Sequence, residues 1–485
     1  MKTERITAAL LLSAILLASC GEVAQTIADK PNGTAEDSQA VNIQTETGPS
    51  DNVPDLDFGG DTITYATTES YHYEFDTDEL NGEVTNDAIY ERNLKIEERF
   101  NVLVQKTVTE DRNQQTQLIR TTIMSGDHNF DVAAHFVYLA GALILEDLFL
   151  DWSKVPYIEM DQPWWVRKIN DSFTVGGRLF AAVSDLCITN MQLAYVFLFN
   201  KQIAENYGIE DLYDVVDNGR WTLDYMYDLT SGIYEDVDGN GKADDSDVYG
   251  LLTDTITSID PYFIASGQTT VIETENGFEE QLGTEHSVAI YEKVRKLFYE
   301  NPGTKAMADY EQKHPMFMNN QGLLMPIRLH RLYDQMRDME VDFGILPYPK
   351  FNEEQQNYYN SCLDNYSVLM VPKNTDKLDM IGAVTEALSF ESMVSVVPAF
   401  YETALQEKYT RDNRSVDMLD LIMDSRMFDV TILYGSSFKG GTLPYMLRLV
   451  INGKKNYTSF YEKNRAAFEE QLSGLYSSLQ AIGNT

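Results

Sequence analysis

"NDAIYERNLKIEERFNVLVQ", residues 86–105, carries the pattern that decides the fold. Ala88, Ile89, Leu94, Ile96 and Phe100 recur at roughly helical spacing, and residues 102–105 then read as a strand. Upstream, "DTITYA" (61–66) alternates as a strand does. Downstream, a second helical segment over about 112–125 stops at Gly126, and "FDVAAHF" (130–136) reads as a buried strand. Strand, helix, strand, helix, strand at this spacing predicts a parallel sheet covered by helices. Ligands of such sheets sit at the carboxyl ends of the strands, here near residues 67–71 and 135–138.

The pattern then restarts. "RLFAAVSD" (178–185) and "QLAYVFLFN" (192–200) read as strands, and "KQIAENYG" as a helix stopped by Gly208. A longer helix begins at Thr222 with Asp224 in its first turn. A helix near 285–300, strands at 322–328, 342–349 and 365–372, and helices out to the C-terminus complete the chain, with no short-period repeat. Two α/β lobes, with the chain crossing between them more than once, account for this order. A chain of 485 residues also exceeds what one hydrophobic core usually supports.

The formal charge is −39, from 37 Lys and Arg against 76 Asp and Glu. Such a surface repels nucleic acid and anionic membranes and favours neutral or cationic ligands. The acidity belongs to a folded body, since 29 Tyr and 22 Phe are far more than a disordered acidic chain carries. No nucleic-acid partner is expected.

Lys2 and Arg5 precede an apolar stretch over residues 6–18, too short to span a membrane, and "LASC" follows at 17–20. With Gly21 this resembles the bacterial lipobox, so Cys20 is the expected lipidation site, after a signal peptide at 1–19. Residues 20–57, rich in Thr, Ser, Gln, Asn, Gly and Pro, read as a flexible tether. The protein is thus expected at the outer face of the cell membrane, held there by its lipid alone. Cys187 and Cys362 fit two separate thiols better than a disulfide framework.

"DVDGNGKADDSD" (236–247) has the oxygen-donor spacing of a calcium loop. Asp236, Asp238 and Asn240 would give side-chain oxygens, Gly241 the tight turn, Lys242 its carbonyl, and Asp244 and Asp247 the rest. Asp247 stands where a sensor carries a bidentate Glu, and "VYGLLTD" after it reads as a strand rather than a second helix. A structural Ca2+ clamp is expected, with a metal-free acidic turn as the alternative.

Taken together, the lipobox and tether, "NDAIYERNLKIEERFNV", "YVFLFNKQIAENYGIEDLYDVVDNGRWTLDYMYDLT", "FMNNQGLLM", "DFGILPYPK" and "LDNYSVLMVPKNT" are similar to extracellular solute-binding lipoproteins of family 1. The resemblance runs from Met1 to the helices past residue 400, and rests on order and spacing rather than on one motif. It implies a periplasmic-binding type II fold, an α/β protein of two lobes with a ligand cleft between them. It also implies a sugar-binding, monomeric component of an ABC transporter of Gram-positive bacteria, with permease subunits as partners.

Sugar recognition needs flat apolar faces and planar polar groups. Trp164 or Trp165 is the expected stacking platform, because two adjacent indoles are hard to bury together, while Trp221 reads as structural. Strand-end placement nominates His135, Tyr138, Asp185, Arg328, Asn365 and Tyr366, with Tyr401 and Glu402 in "PAFYET". Turn caps and surface ion pairs are the plain alternatives for these. The lobes are expected as 58–185 and 309–364 for the first, and 186–308 and 365–485 for the second. No catalytic motif of the serine-elbow, zincin or phosphate-loop kind occurs, so catalysis is not expected. A surface-anchored carbohydrate-active enzyme, or the same fold taking a peptide or cation, are the alternatives.

Overall fold

The computed structural model describes residues 50–336, 339–406 and 413–482; the expected signal peptide, Cys20 and residues 20–49 of the tether lie outside them. The chain divides into two units, Met1–Pro54 and Asp55–Thr485. The described end of the first, residues 50–54, has neither helix nor strand. The second unit is the folded body.

It opens with β1 (Asp61–Thr68), α1 (Val84–Phe100), β2 (Val102–Thr109), α2 (Arg112–Ser125), β3 (Val132–Phe136) and α3 (Val137–Ile144). Both β2 and β3 pair parallel with β1, as helical crossovers require. The Glu83 carboxylate caps α1 by accepting from the Thr85 and Asn86 N–H groups; Asp111 caps α2 in the same way, and Gly126 ends it at φ 76°. Ile89, Ile96 and Phe100 are buried, as their spacing predicts, but Leu94 is 48% exposed. Five residues past Ile89 it lies about 140° around the helix, off the buried face.

The second sheet is built from β4 (Tyr195–Asn200), then, after α4 (Leu223–Ser231), β5 (Tyr234–Glu235) and β6 (Val248–Asp254). After α5 (Pro261–Ala265), the strands β7 (Val271–Thr274) and β8 (Gly277–Glu280) form a separate hairpin. Following α6 (Glu285–Tyr299) come β9 (Thr304–Met307), β10 (Gly322–Arg328) and β11 (Phe343–Leu346). The order is β11-β4-β10-β6-β5, with β9 on β6. Within it β4 runs antiparallel to both neighbours, Phe199 facing Leu324 and Gly344. The chain then returns to the first sheet as β12 (Ser367–Met370), antiparallel to β3.

These pairings correct the expected division of the C-terminal half. Residues 322–328 and 343–346 join the second sheet and 367–370 the first, the reverse of the expected assignment. A strand buried on both faces, such as "GLLMPIR", carries no mark of which sheet will hold it. Residues 178–185, expected as a strand, make only isolated bridges, Ser184 with Trp165 and Ala182 with Leu369.

The helices after β12 are α7 (Leu378–Glu391), continued by a π-helical stretch (Ser392–Val396) into α8 (Val397–Gln406), then α9 (Asn413–Asp424), α10 (Val430–Leu433), α11 (Met446–Asn452) and α12 (Tyr457–Ala481). They touch both lobes: α10 packs on α3, α9 on β11, and α11 and α12 on α6. Cys187 and Cys362 are both free thiols.

Glu74, in the turn after β1, ties the two crossings together. Fully buried, its carboxylate accepts the Thr189 N–H of the first crossing at 2.7 Å and the Ser367 hydroxyl at the end of the second. Thr189 Oγ1 accepts the Ser367 N–H at 3.0 Å. Burial pushes the Glu74 carboxyl up to about 7, against these hydrogen bonds. Folding therefore favours its protonated form, and the stability it contributes is full below its ordinary value of 4.5 and lost as pH rises through about 7. Glu74→Gln should flatten the fall in unfolding free energy between pH 5 and 8 by up to about 1.4 kcal/mol per pH unit. Urea titrations of both proteins across that range check this, and an unchanged slope would exclude Glu74 as its source.

Candidate functional site

The strands place two edges opposite each other. On one lobe β1, β2 and β3 end at Thr68, Thr109 and Phe136; on the other β6, β9 and β10 end at Asp254, Met307 and Arg328. Because β4 is antiparallel, its first residue, Tyr195, stands beside Arg328 at this same edge. In the first lobe Ser367 stands beside Phe136 for the same reason.

A cavity of about 60 Å³, open to solvent, lies against Tyr195. Asp260 and Phe263 wall it from α5, Asp364 and Tyr366 from the second crossing, and Phe428 from the loop before α10, which packs on α3 of the first lobe. Tyr445 closes another side, donating its hydroxyl to Asp364 Oδ2. Arg448 Nη1 stands 3.2 Å from Asp260 Oδ2, whereas Asp260 Oδ1 is buried with no hydrogen-bond partner. Burial pushes the Asp260 carboxyl up to about 7; Arg448 opposes this, and the charges of Asp364 and Asp254 add to it. Just below, Asp254 is ion-paired with Lys313, both buried. Burial works to raise the Asp254 carboxyl, but the Lys313 ammonium and the Ser258 and Thr257 hydrogen bonds overcome it and hold the group below the usual carboxylate range.

Tyr195 also lines a smaller recess with Thr257, Tyr310, Lys313, His314 and Arg328. The Arg328 guanidinium lies 5.0 Å over the Tyr310 ring. Tyr71, across the cleft, is pushed up to about 12 by burial, against a hydrogen bond to Asn365 and the charge of Arg328.

Of the expected ligand residues, Arg328 and Tyr366 line these spaces and Asn365 adjoins them. Tyr138 is half-buried on α3 under the Arg112 guanidinium, 5.4 Å from its ring centre. Asp185 is buried at the start of the first crossing, outside the cavity lining. The structure corrects four others. Trp164 and Trp165 are 1% exposed, and their indole N–H groups each donate at 2.9 Å to one oxygen of the Glu386 carboxylate, so neither faces the cleft. One buried acid on α7 solves the problem of burying both. His135 is fully buried between Gln115 and Thr116 of α2, which engage its two ring nitrogens at 2.6 and 3.0 Å, and burial lowers it to about 3. Tyr401 packs beside Phe400 against the core that holds Ile89, away from the cavity, and the side chain of Glu402 lies outside the described residues. Trp221 is structural, as expected: fully buried, its N–H donates to the Pro347 carbonyl at 2.9 Å.

Tyr195, Asp260, Asp364 and Tyr445 were not among the expected residues. A signal existed for two of them, since Tyr195 opens a called strand and Asp364 precedes Asn365. Asp260 and Tyr445 reach the cavity through long-range packing alone.

The acidic loop lies between β5 and β6, a hairpin rather than a helix pair. Asp236, Asp238 and Asp247 bring oxygens within 4.8 Å of one another. Asp236 Oδ2 accepts the Gly241 N–H at 2.8 Å, while its Oδ1 is buried without a partner. Asn240 Nδ2 donates to Asp238 and Asp244 at 2.7 and 2.8 Å, and its Oδ1 accepts the Lys242 N–H. The carboxylate of Asp247, fully buried, accepts from the Val237 and Asp244 N–H groups and the Tyr234 hydroxyl.

No protein-family model and no curated protein matches the chain. Solved structures do. The GacH receptor of Streptomyces glaucescens, studied unliganded and with acarbose, superposes with a TM-score of 0.56 at 13% identity over 85% of this chain and 98% of that one. A family 1 extracellular solute-binding protein from Bifidobacterium longum subsp. infantis gives 0.54 at 12% over 87% and 100%. An ABC substrate-binding protein from Listeria monocytogenes, in complex with cycloalternan, gives 0.52 at 14% over 87% and 99%. At these identities the likeness is one of fold, and the fold is periplasmic-binding type II.

Glu386→Ala should cost about 1–3 kcal/mol for each indole left without an acceptor. Urea unfolding followed by tryptophan fluorescence measures it; a cost below 1 kcal/mol would show that water replaces the carboxylate.

Proposed function

We propose that this protein is an extracellular solute-binding lipoprotein that captures a carbohydrate, an oligosaccharide, between its lobes and delivers it to an ABC importer. One observation carries the reading: the cavity where the strand ends of the two lobes meet combines aromatic rings with a buried, unpartnered carboxylate oxygen on Asp260. Rings stack on the C–H faces of a sugar and carboxylates accept its hydroxyls. The saccharide complexes among the fold's neighbours support the same class of ligand. Contacts to α5 and to the second crossing, complete only when the lobes approach, would shift the population toward a closed form for the permease to recognise. Cys20 would carry the lipid that holds the monomer at the outer face of the membrane of a Gram-positive cell, with residues 21–57 as tether.

The role is binding rather than catalysis, which supports testing ligand and product together. In a thermal-shift screen of oligosaccharides, a bound ligand at a hundred times its Kd should add about 2.7 kcal/mol of stability and be recovered unaltered. Tyr366→Ala and Asp260→Ala should abolish that shift. Cleavage of the ligand would instead establish the surface-anchored carbohydrate-active enzyme, and a shift with peptides alone would change the cargo.

A calcium ion fits the loop at 236–247. The unpartnered Asp236 oxygen and the convergence of Asp236, Asp238 and Asp247 support it, and Asn240 and Asp244 border the same space. The Lys242 carbonyl is the remaining donor expected from the spacing. The ion would clamp the hairpin of β5 and β6. Adding calcium to chelator-treated protein should raise Tm, and Asp236→Asn should remove the rise; an unchanged wild-type Tm would sink the clamp.

A further inference from the structure

Among the described residues three carboxylates line the inter-lobe cavity, those of Asp260, Asp364 and Asp429, and no Lys, Arg or His does. Their partners differ. Asp429 is satisfied from within, accepting from the Thr270 and Thr431 N–H groups and the Thr431 hydroxyl. Asp364 takes the Tyr445 hydroxyl, a neutral donor. Asp260 has Arg448 on one oxygen and nothing on the other. Two guanidiniums, that of Arg448 lying over the Tyr445 ring at 4.6 Å and that of Arg426 against Cys362, thus stand against three acids. Arg328 belongs to the adjoining recess, which shares Tyr195 with the cavity.

A sugar hydroxyl would give Asp260 Oδ1 a hydrogen bond but no charge to favour the ionised carboxylate, which burial and the neighbouring acids disfavour. A protonated amine supplies the donor and the charge at once, and such bonds are roughly twice as strong as neutral ones. The rings of Tyr195, Phe263, Tyr366 and Phe428 line the same cavity, and aromatic rings attract cations. The net charge of −39 acts at longer range in the same sense. Resting on the saccharide reading above, we infer that the sugar unit seated against Asp260 carries a free, protonated amine: the ligand is an amino sugar, neither N-acetylated nor plainly hydroxylated at that position. Its ammonium donates to Asp260 Oδ1, with the aromatic rings around it.

Titration calorimetry at neutral pH on α- and β-linked oligosaccharides, each in matched amine, N-acetyl and hydroxyl forms, tests this, with spermidine as a cation that is not a sugar. The amine form should bind at least about tenfold more tightly than its matched neutral forms. Asp260→Asn should bring that ratio near one, and raising the salt should weaken the amine form selectively in the wild type, a readout that does not depend on the variant folding. A neutral form that binds as tightly as the amine overturns the inference and leaves the saccharide reading intact. Binding of spermidine without any saccharide, or of no saccharide at all, removes the saccharide reading and the inference with it.

Discussion

The architecture depends on one constraint, met once in each lobe: the strand that follows a crossing enters its sheet antiparallel. Tyr195, the first residue of β4, pairs with Arg328, the last of β10; Ser367, the first of β12, pairs with Phe136, the last of β3. A strand added parallel would need its crossing to arrive at the opposite edge. Arriving antiparallel, both crossings end where the other strands end, so the connecting chain forms the floor of the cleft instead of passing behind it. Tyr195, Asp364 and Tyr366 gain their positions in this way.

Burial of charge follows the same plan. Glu74 and Glu386 are fully buried acids in the first lobe, and each joins separate parts of the chain: Glu74 the two crossings, Glu386 on α7 the adjacent indoles of Trp164 and Trp165. Both carboxyls are raised to about 7 by burial, opposed by the hydrogen bonds they accept. In the second lobe Asp254 has Lys313 as a full counter-ion and is driven the other way. Asp260 lies between these cases, with a cation on one oxygen and none on the other. Of these four, Glu74, Glu386 and Asp254 have partners on both oxygens, and Asp260, on the cavity wall, has one on only one.

Much of this was legible in the sequence. Helical spacing around Ile89 and Ile96, the stop at Gly126 and the alternation of strands with helices are local signals, and they specify the parallel first sheet. The acidic loop was legible for the same reason, because its donors lie within twelve consecutive residues. Sheet membership was not, since β10 and β12 are equally apolar and their partners are distant in sequence. The tryptophan pair misled because the rule that two neighbouring indoles resist joint burial assumes that no acceptor is near; Glu386, more than two hundred residues away, supplies one for each. Strand-end reasoning named Arg328 and Tyr366, which line the recess and the cavity, but on a short strand such as β3 it could not say that His135 turns toward α2.

The C-terminal helices alter what the lobes are free to do. Past the second crossing the chain changes lobe repeatedly, from α8 on α1 to α9 on β11, back to α10 on α3, and on to α11 on α6 of the second lobe through Gly435, Gly440 and Gly441. Two linkers define an axis about which bodies can swing; every further one set off from that axis must lengthen or fold as they do. Gly440, at φ 71°, gives that strut a bend only a glycine takes easily. Any opening of the lobes therefore has to be taken up in the dozen residues between α10 and α11 as well as in the crossings under the cleft.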